Sequence, residues 1–176
     1  MESSELDRFE AVMLPHLDAA YRVARLVVRS DFDADDVVQE ALLRALRYFG
    51  GFRGEGTGQS RAWLLAIVRN TAFTWKRRQP DEETTPEFDE QLHSDAAEGE
   101  DPASVLAGGE ARETLARVLA RLPRDLREVI VLREIEGLSY QEISEVAGVP
   151  VGTVMSRLSR ARQRLQKVVR PEEKER

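Results

Sequence analysis

The stretch from Leu138 to Leu165, LSYQEISEVAGVPVGTVMSRLSRARQRL, constrains the fold more than any other part of the chain, because its signals agree on two short helices across a tight turn. Ser139 with Glu142 three residues on is a capping box, in which each side chain satisfies a backbone N–H left orphaned at a helix start. A first helix therefore begins near Ser139. Ile143, Val146 and Ala147 give it one apolar stripe, Gly148 supplies the permissive backbone for a turn, and Pro150 suits the opening of a new helix near Val151. In that second helix Val154, Leu158, Ala161 and Leu165 recur at helical spacing and face inward, leaving Met155, Ser156, Arg157, Ser159, Arg160, Arg162 and Arg164 outside. An arginine-rich outer face on the second of two such helices suits DNA phosphates and base edges in a major groove.

A plain helical hairpin with solubilising arginines would carry some of these features, but the distribution of charge argues against it. The chain has a formal net charge of −6. Nevertheless Arg157, Arg160, Arg162, Arg164, Lys167 and Arg170 follow one another with no acid between Ser156 and Arg170. An acidic chain that keeps one helix free of acids points to a polyanionic partner.

With 176 residues, 41% of them hydrophobic and 33% charged, the chain has an ordinary soluble profile and room for two small domains. Without cysteine it can have neither a disulfide framework nor a thiolate metal site, and His16 and His93 stand too far apart for a histidine cluster, so no metal and no cofactor is expected. No apolar run approaches the roughly 20 residues that span a bilayer, and MESSELDRFE is acidic where a secretory signal is basic and then apolar. A cytoplasmic chain is the expectation. Between Gln79 and Gly109 Asp and Glu are frequent, Lys and Arg absent, and Pro80, Pro86 and Pro102 recur, which reads as a flexible acidic linker. Before it, Glu5 to Arg29, Asp33 to Tyr48 and Ser60 to Arg78 show helical periodicity; after it, Glu110 to Leu122 and Arg124 to Ile135 are helices separated at Pro123. The expected fold is all-α.

In the first part, Asp35, Asp36, Gln39 and Glu40 gather on one face of a helix whose Val37, Ala41, Leu42 and Leu46 bury. Such a cluster serves either as a solvated helix start complementing the dipole or as a docking face. It is no calcium loop, since Asp36 stands where glycine is needed and Leu42 where the bidentate glutamate belongs. Further on, the glycine-rich loop from Phe52 to Ser60 leads into a helix with Arg61, Arg69, Lys76, Arg77 and Arg78 and no acid. The loop lacks the pattern of a nucleotide-binding loop. Trp63 and Phe73 share helical spacing with Leu64, Ile67 and Val68 and read as core, whereas Arg69, Asn70, Lys76 and Arg77 read as surface. Basic residues interleaved with aromatics suit single-stranded or distorted nucleic acid.

Three of these segments resemble, in order, the extracytoplasmic-function (ECF) sigma factors of bacterial RNA polymerase. Asp33-Ala-Asp-Asp-Val-Val-Gln-Glu-Ala-Leu-Leu-Arg-Ala-Leu is similar to the helix of conserved region two; Phe52-Arg-Gly-Glu, Trp63-Leu-Leu and Val68-Arg-Asn-Thr-Ala are similar to the promoter-melting segment; Leu122-Pro-Arg-Asp-Leu-Arg-Glu-Val-Ile through Leu165 is similar to region four. The resemblance implies region two over 1–79, an acidic linker over 80–109 and a region-four helix-turn-helix over 110–176. It implies that Asp35, Asp36, Gln39 and Glu40 dock on the clamp helices of the largest subunit of core RNA polymerase. Phe52, Arg53, Arg61, Arg69, Asn70, Lys76 and Arg77 would bind the −10 element and hold a flipped base. Thr153, Met155, Ser156, Arg157, Ser159, Arg160 and Arg162 would bind the −35 element. It also implies promoter DNA and an anti-sigma factor as partners, no small-molecule substrate, no membrane insertion and no catalytic residue. The loop between Arg53 and Trp63 is longer than the commoner family pattern and lacks its usual Phe, and Met155 stands where many relatives carry Arg or Lys. Two other readings make different predictions: a stand-alone helix-turn-helix regulator would bind DNA without polymerase, and a nuclease using Asp31, Asp33, Asp36 and Glu40 would need a metal.

Overall fold

A computed structural model describes residues 3–28, 30–79 and 102–174, and every regular element among them is helical. Pro15 divides the first helical stretch into α1 (Ser3–Met13) and α2 (Leu17–Val27), with a single tight turn over Leu14–His16 between them, where periodicity alone suggests one helix. Ser30 caps α3 (Asp31–Tyr48) by accepting the Asp33 N–H at 3.4 Å, and Asp31 and Asp33 sit at the positive end of its dipole. After a short turn over Phe49–Gly51, the long α4 (Thr57–Arg78) runs through the centre of the molecule. It packs on α1, α2, α3 and also on a helix from the other end of the chain. This is why Ala62, Leu64, Leu65, Val68 and Ala72 are all buried: a helix surrounded by others is apolar on more than one side.

The second part begins with α5 (Pro102–Ala120), which starts well before the helix expected from Glu110. Pro102 at its first position loses no intrahelical bond and pre-sets the backbone. Helix therefore covers residues 102–109 of the stretch expected as linker, and its remainder, 80–101, lies outside the described residues. Pro123 precedes α6 (Arg124–Ile130), which relaxes into one wider π turn over Val131–Ile135. Then follow α7 (Tyr140–Ala147) and α8 (Val151–Lys174). The Ser139–Glu142 capping box forms in both directions, at 3.1 and 3.0 Å, and Gly148 takes the left-handed conformation, φ 67°, that ends α7 and that a side chain would strain.

Each part has its own well-filled interior. Met13, Val23, Val37, Phe49, Leu64 and Leu65 are sealed from solvent in the first, and Val129, Leu132, Leu138, Ile143, Val154 and Leu158 in the second. A fully buried Leu or Ile contributes about 1.5–3 kcal/mol, so each interior can hold its helices together. The two interiors nevertheless join in one contiguous cluster, because α7 lies directly on α4.

Candidate nucleic-acid interface

On α8 the apolar spacing turns Val154, Leu158 and Ala161 inward, fully buried, with Leu165 half-buried behind them. The opposite face presents Met155, Ser156, Ser159, Arg160 and Arg162 to solvent, with Thr153 and Arg157 half-buried at its edges. Arg157 points back to Asp125 at 3.8 Å, and Arg162 is paired with Glu134 at 3.0 Å. The Ser156 hydroxyl donates to Thr153 O at 3.0 Å. Ser144 fixes the turn ahead of α8 by donating from Oγ to Val149 O, so the helix start is held at a set angle. An exposed helix of this kind, presented by a capped partner across a left-handed glycine turn, can enter a major groove and meet phosphates at its rims.

The loop before α4 is built differently from the sequence expectation. Phe52, expected to face DNA, is buried: its ring stacks on Phe49 at 5.9 Å and tilts onto Trp63 at 4.8 Å. Burying an aromatic ring outweighs leaving it in the loop, so Phe52 anchors the loop from beneath. Trp63 is half-buried against it, as its spacing suggests. Arg53 is exposed and donates to Gly50 O at 2.8 Å. Arg61 is half-buried, and its Nε is enclosed without a protein partner among the described residues. Asn70, Lys76 and Arg77 lie on the surface.

Arg69, expected on the surface, is instead drawn into a seam between the two parts of the chain. Its guanidinium pairs with Glu128 of α6 through Nε–Oε1, with Nη2–Oε2 at 3.3 Å. It also lies 4.5 Å from the Phe73 ring centre, and Arg124 lies 4.0 Å from the same centre, so two cations share one aromatic ring. Burial holds the Arg124 guanidinium below its ordinary pKa, an effect opposed by the charge of Glu128. A second pair closes the same seam: Arg22 of α2 forms a fork with Glu136, Nη2 to Oε2 at 3.0 Å, and the hydrogen bonds to Glu136 raise its pKa. Glu128 and Glu136 are almost fully buried. At the third point of contact, a Cβ on Gly58 would stand 3.1 Å from Glu142 Oε2, so glycine there lets the capping carboxylate of α7 settle against the N-terminal turn of α4.

The acidic cluster of α3 lies on its outer face. Asp35, Asp36 and Gln39 are exposed, and Glu40 is half-buried and paired with Arg44 one turn on. Two apolar residues that the sequence reading passed over share that face: Phe32 is 84% exposed and Leu43 65%. Their spacing with Asp36 and Gln39 was visible in the sequence as a stripe on the side opposite Val37 and Ala41. A mixed face of acids and large apolar groups has the make-up of a protein-docking surface. No helix among the described residues is long and apolar enough to cross a membrane.

Comparison with known proteins matches residues 13–80 to the family described as Sigma-70 region 2 and residues 112–165 to Sigma-70, region 4. The RNA polymerase sigma-H factor of Pseudomonas aeruginosa is 39% identical over 160 residues, spanning 86% of this chain and 82% of that protein. The ECF RNA polymerase sigma-E factor of Escherichia coli is 38% identical over 159 residues, with the same coverage. Among solved structures, the sigma factor RpoE of Bartonella quintana, in complex with the anti-sigma factor NepR, aligns with 93% of this chain and 97% of its own at a TM-score of 0.66 and 27% identity. CnrH, in complex with the cytosolic domain of CnrY, aligns with 93% of this chain and 88% of its own at a TM-score of 0.62 and 26% identity.

Proposed function

We propose a division of labour along this chain, which belongs to the sigma-70 family and, within it, to the extracytoplasmic-function sigma factors. It serves promoter-specific transcription initiation with core RNA polymerase. In our reading residues 1–79 act as region two, 80–109 as the connecting segment and 110–176 as region four, and the chemistry of RNA synthesis is left to the polymerase. The observation that carries the reading is the outer face of α8, where Arg160 and Arg162 stand exposed beside Met155, Ser156 and Ser159. This face reads the −35 element: Met155, Ser156, Ser159 and Arg160 meet base edges, while Thr153, Arg157 and Arg162 meet phosphates.

On the −10 side, the loop over 52–60 and the basic residues Arg53, Arg61, Arg69, Asn70, Lys76 and Arg77 receive the non-template strand. Phe52 supports the loop without touching DNA. Unstacking a base costs a few kcal/mol, so a pocket that stacks and hydrogen-bonds the base turns binding energy into strand opening. Asp35, Asp36, Gln39 and Glu40 dock on the basic clamp helices of the largest polymerase subunit, with Phe32 and Leu43 as apolar contacts beside them. The two neighbouring structures were solved with an anti-sigma factor or a cytosolic domain bound, and we extend a partner of the anti-sigma class to this chain. The work so assigned belongs in the cytoplasm, at the chromosome.

The test is co-purification with bacterial core polymerase, followed by transcription of a genomic fragment library with and without the chain. Core binding together with a discrete set of new start sites is the expected result. DNA binding by the chain alone, with no affinity for core, would replace this reading by that of a stand-alone regulator.

A further inference from the structure

Three polar side chains are buried in the first part of the chain, His16, Ser60 and Thr71, and Thr71 bonds within its own helix, from Oγ1 to Ile67 O at 2.7 Å. His16 and Ser60 instead bond each other across 44 positions, Nε2 donating to Oγ at 2.9 Å, and the Ser60 hydroxyl carries the linkage on to Thr57 O at 3.0 Å. This relay ties the turn between α1 and α2 to the first residue of α4, the helix that the glycine-rich loop feeds. The helix supplies no cap of its own there: Gly56 stands at the N-cap without a side chain, and the first turn holds no acid. At the other end of the loop Phe52 is walled in by Phe49 and Trp63, and a Cβ on Gly54 would stand 2.3 Å from Phe52 Cζ, so Gly54 lies flat on the ring. Between these ends the Glu55 N–H donates to Gln59 Oε1 at 2.6 Å and Arg53 donates to Gly50 O at 2.8 Å. The loop is therefore pinned on both sides, and the residue after Ser60 is Arg61, whose charge acts on the His16 ring.

We infer that His16 is a positioning residue for promoter opening: through Ser60 and Thr57 it fixes the angle at which α4 leaves the loop, and so holds Arg61 and residues 53–57 in the shape that receives the unpaired strand. The inference rests on the sigma reading above. His16 is 5% exposed, so it acts without touching DNA. An apolar pair of similar volume would hold the helices together about as well, because replacing both partners of a buried hydrogen bond by apolar groups is nearly neutral. What the polar pair adds is direction, and a loop already in its binding shape loses less freedom when a strand arrives. If the loop keeps that shape only about a tenth of the time once the relay is broken, opening falls about tenfold, because the competent fraction scales the apparent affinity. Tenfold is about 1.4 kcal/mol, within what one hydrogen bond contributes.

The test combines chain and core polymerase on a promoter that the wild-type chain opens, and follows the permanganate reactivity of its thymines over time above pH 6.5, where His16 is neutral. His16→Leu fills the space of the ring without a donor and should slow opening about tenfold. It orphans no buried group, since Ser60 Oγ still donates to Thr57 O, so its helical circular dichroism and core affinity should match the wild type. Ser60→Ala should be slowed to the same extent, and the double variant no further, because both changes break one relay. His16→Gln, whose side-chain amide donates from the place of Nε2, should open at close to the wild-type rate. Wild-type opening by His16→Leu, opening by His16→Gln as slow as by His16→Leu, a double variant slowed by the product of the single effects, or a loss of core affinity that accounts for the slowing overturns the inference. If His16→Leu loses its helical spectrum, Ser60→Ala and His16→Gln carry the test: slow opening by the first with wild-type opening by the second supports the positioning role, and any other pattern overturns it. Failure of the wild-type chain to bind core or to open any promoter sinks the sigma reading itself, whereas wild-type opening that neither variant of the relay disturbs sinks only the role of His16.

Discussion

A double-mutant cycle on Arg69 and Glu128 measures how strongly the two units hold each other. Glu128 is 6% exposed and faces Arg69 in a fork, and its charge also acts on Arg124, which lies against the Phe73 ring. Glu128→Ala therefore strands one buried guanidinium and removes the charge that stabilises a second. Breaking a buried pair from one side costs about 3–5 kcal/mol when the remaining charge cannot escape. Here the seam can part and hydrate Arg69, so the loss stops at the free energy of separating the units and falls below that range. Arg69→Ala should cost less, because Arg124 remains close enough to offset part of the stranded carboxylate. The coupling energy of the pair is expected at about 1–3 kcal/mol, the range for residues in direct contact. Urea unfolding followed by helical circular dichroism supplies the four free energies, and the shared interior predicts a single transition. A coupling below about 0.5 kcal/mol would mean that the fork is not populated in solution and would refute the reasoning.

Four further outcomes follow from other contacts. His16 is buried; the Ser60 hydroxyl donates to Thr57 O at 3.0 Å, so the ring Nε2 donates to Ser60 Oγ at 2.9 Å. Burial first, and the nearby charge of Arg61 second, hold its pKa below the ordinary 6.5, so the unfolded chain takes up the proton first as pH falls. Stability should be full above pH 6.5 and decline as pH falls from there through the lower folded-state pKa; urea midpoints across this window should lose that slope in His16→Gln. Ser139→Ala removes half of the capping box and should lower stability by about 1 kcal/mol in the same urea assay. Asp36→Ala should slow association with core polymerase, measured by stopped-flow fluorescence, and leave the helical spectrum unchanged; Arg160→Ala should reduce promoter-directed transcription while core affinity stays at its wild-type value.

Local rules carried the reading of the C-terminal half. Ser139, Glu142, Gly148 and Pro150 each act through backbone geometry within a few residues, so α7, the turn and α8 were legible from spacing alone. The same holds for the inward set Val154, Leu158 and Ala161. What escaped the sequence reading depends on distant partners. Phe52 looked like an exposed loop aromatic because nothing near it announces Phe49 and Trp63 as its walls. Arg69 looked free because Glu128, its partner, lies 59 positions away. The early start of α5 was masked by Gly108 and Gly109, which resemble a spacer, although Pro102 gave a usable sign of a helix start. The acids on α3 were read as a candidate docking face, but Phe32 and Leu43 were passed over although they share its helical spacing, because large apolar residues are ordinarily buried and these two are exposed.

The central claim, that this one chain brings promoter recognition and strand opening to core polymerase, is tested most directly by permanganate reactivity of thymines at the start sites mapped by transcription. Thymines just upstream of the start should become reactive with chain and core together, and stay unreactive with either alone. Reactivity with core alone, or stable promoter binding by chain and core with every thymine still protected, would contradict the account.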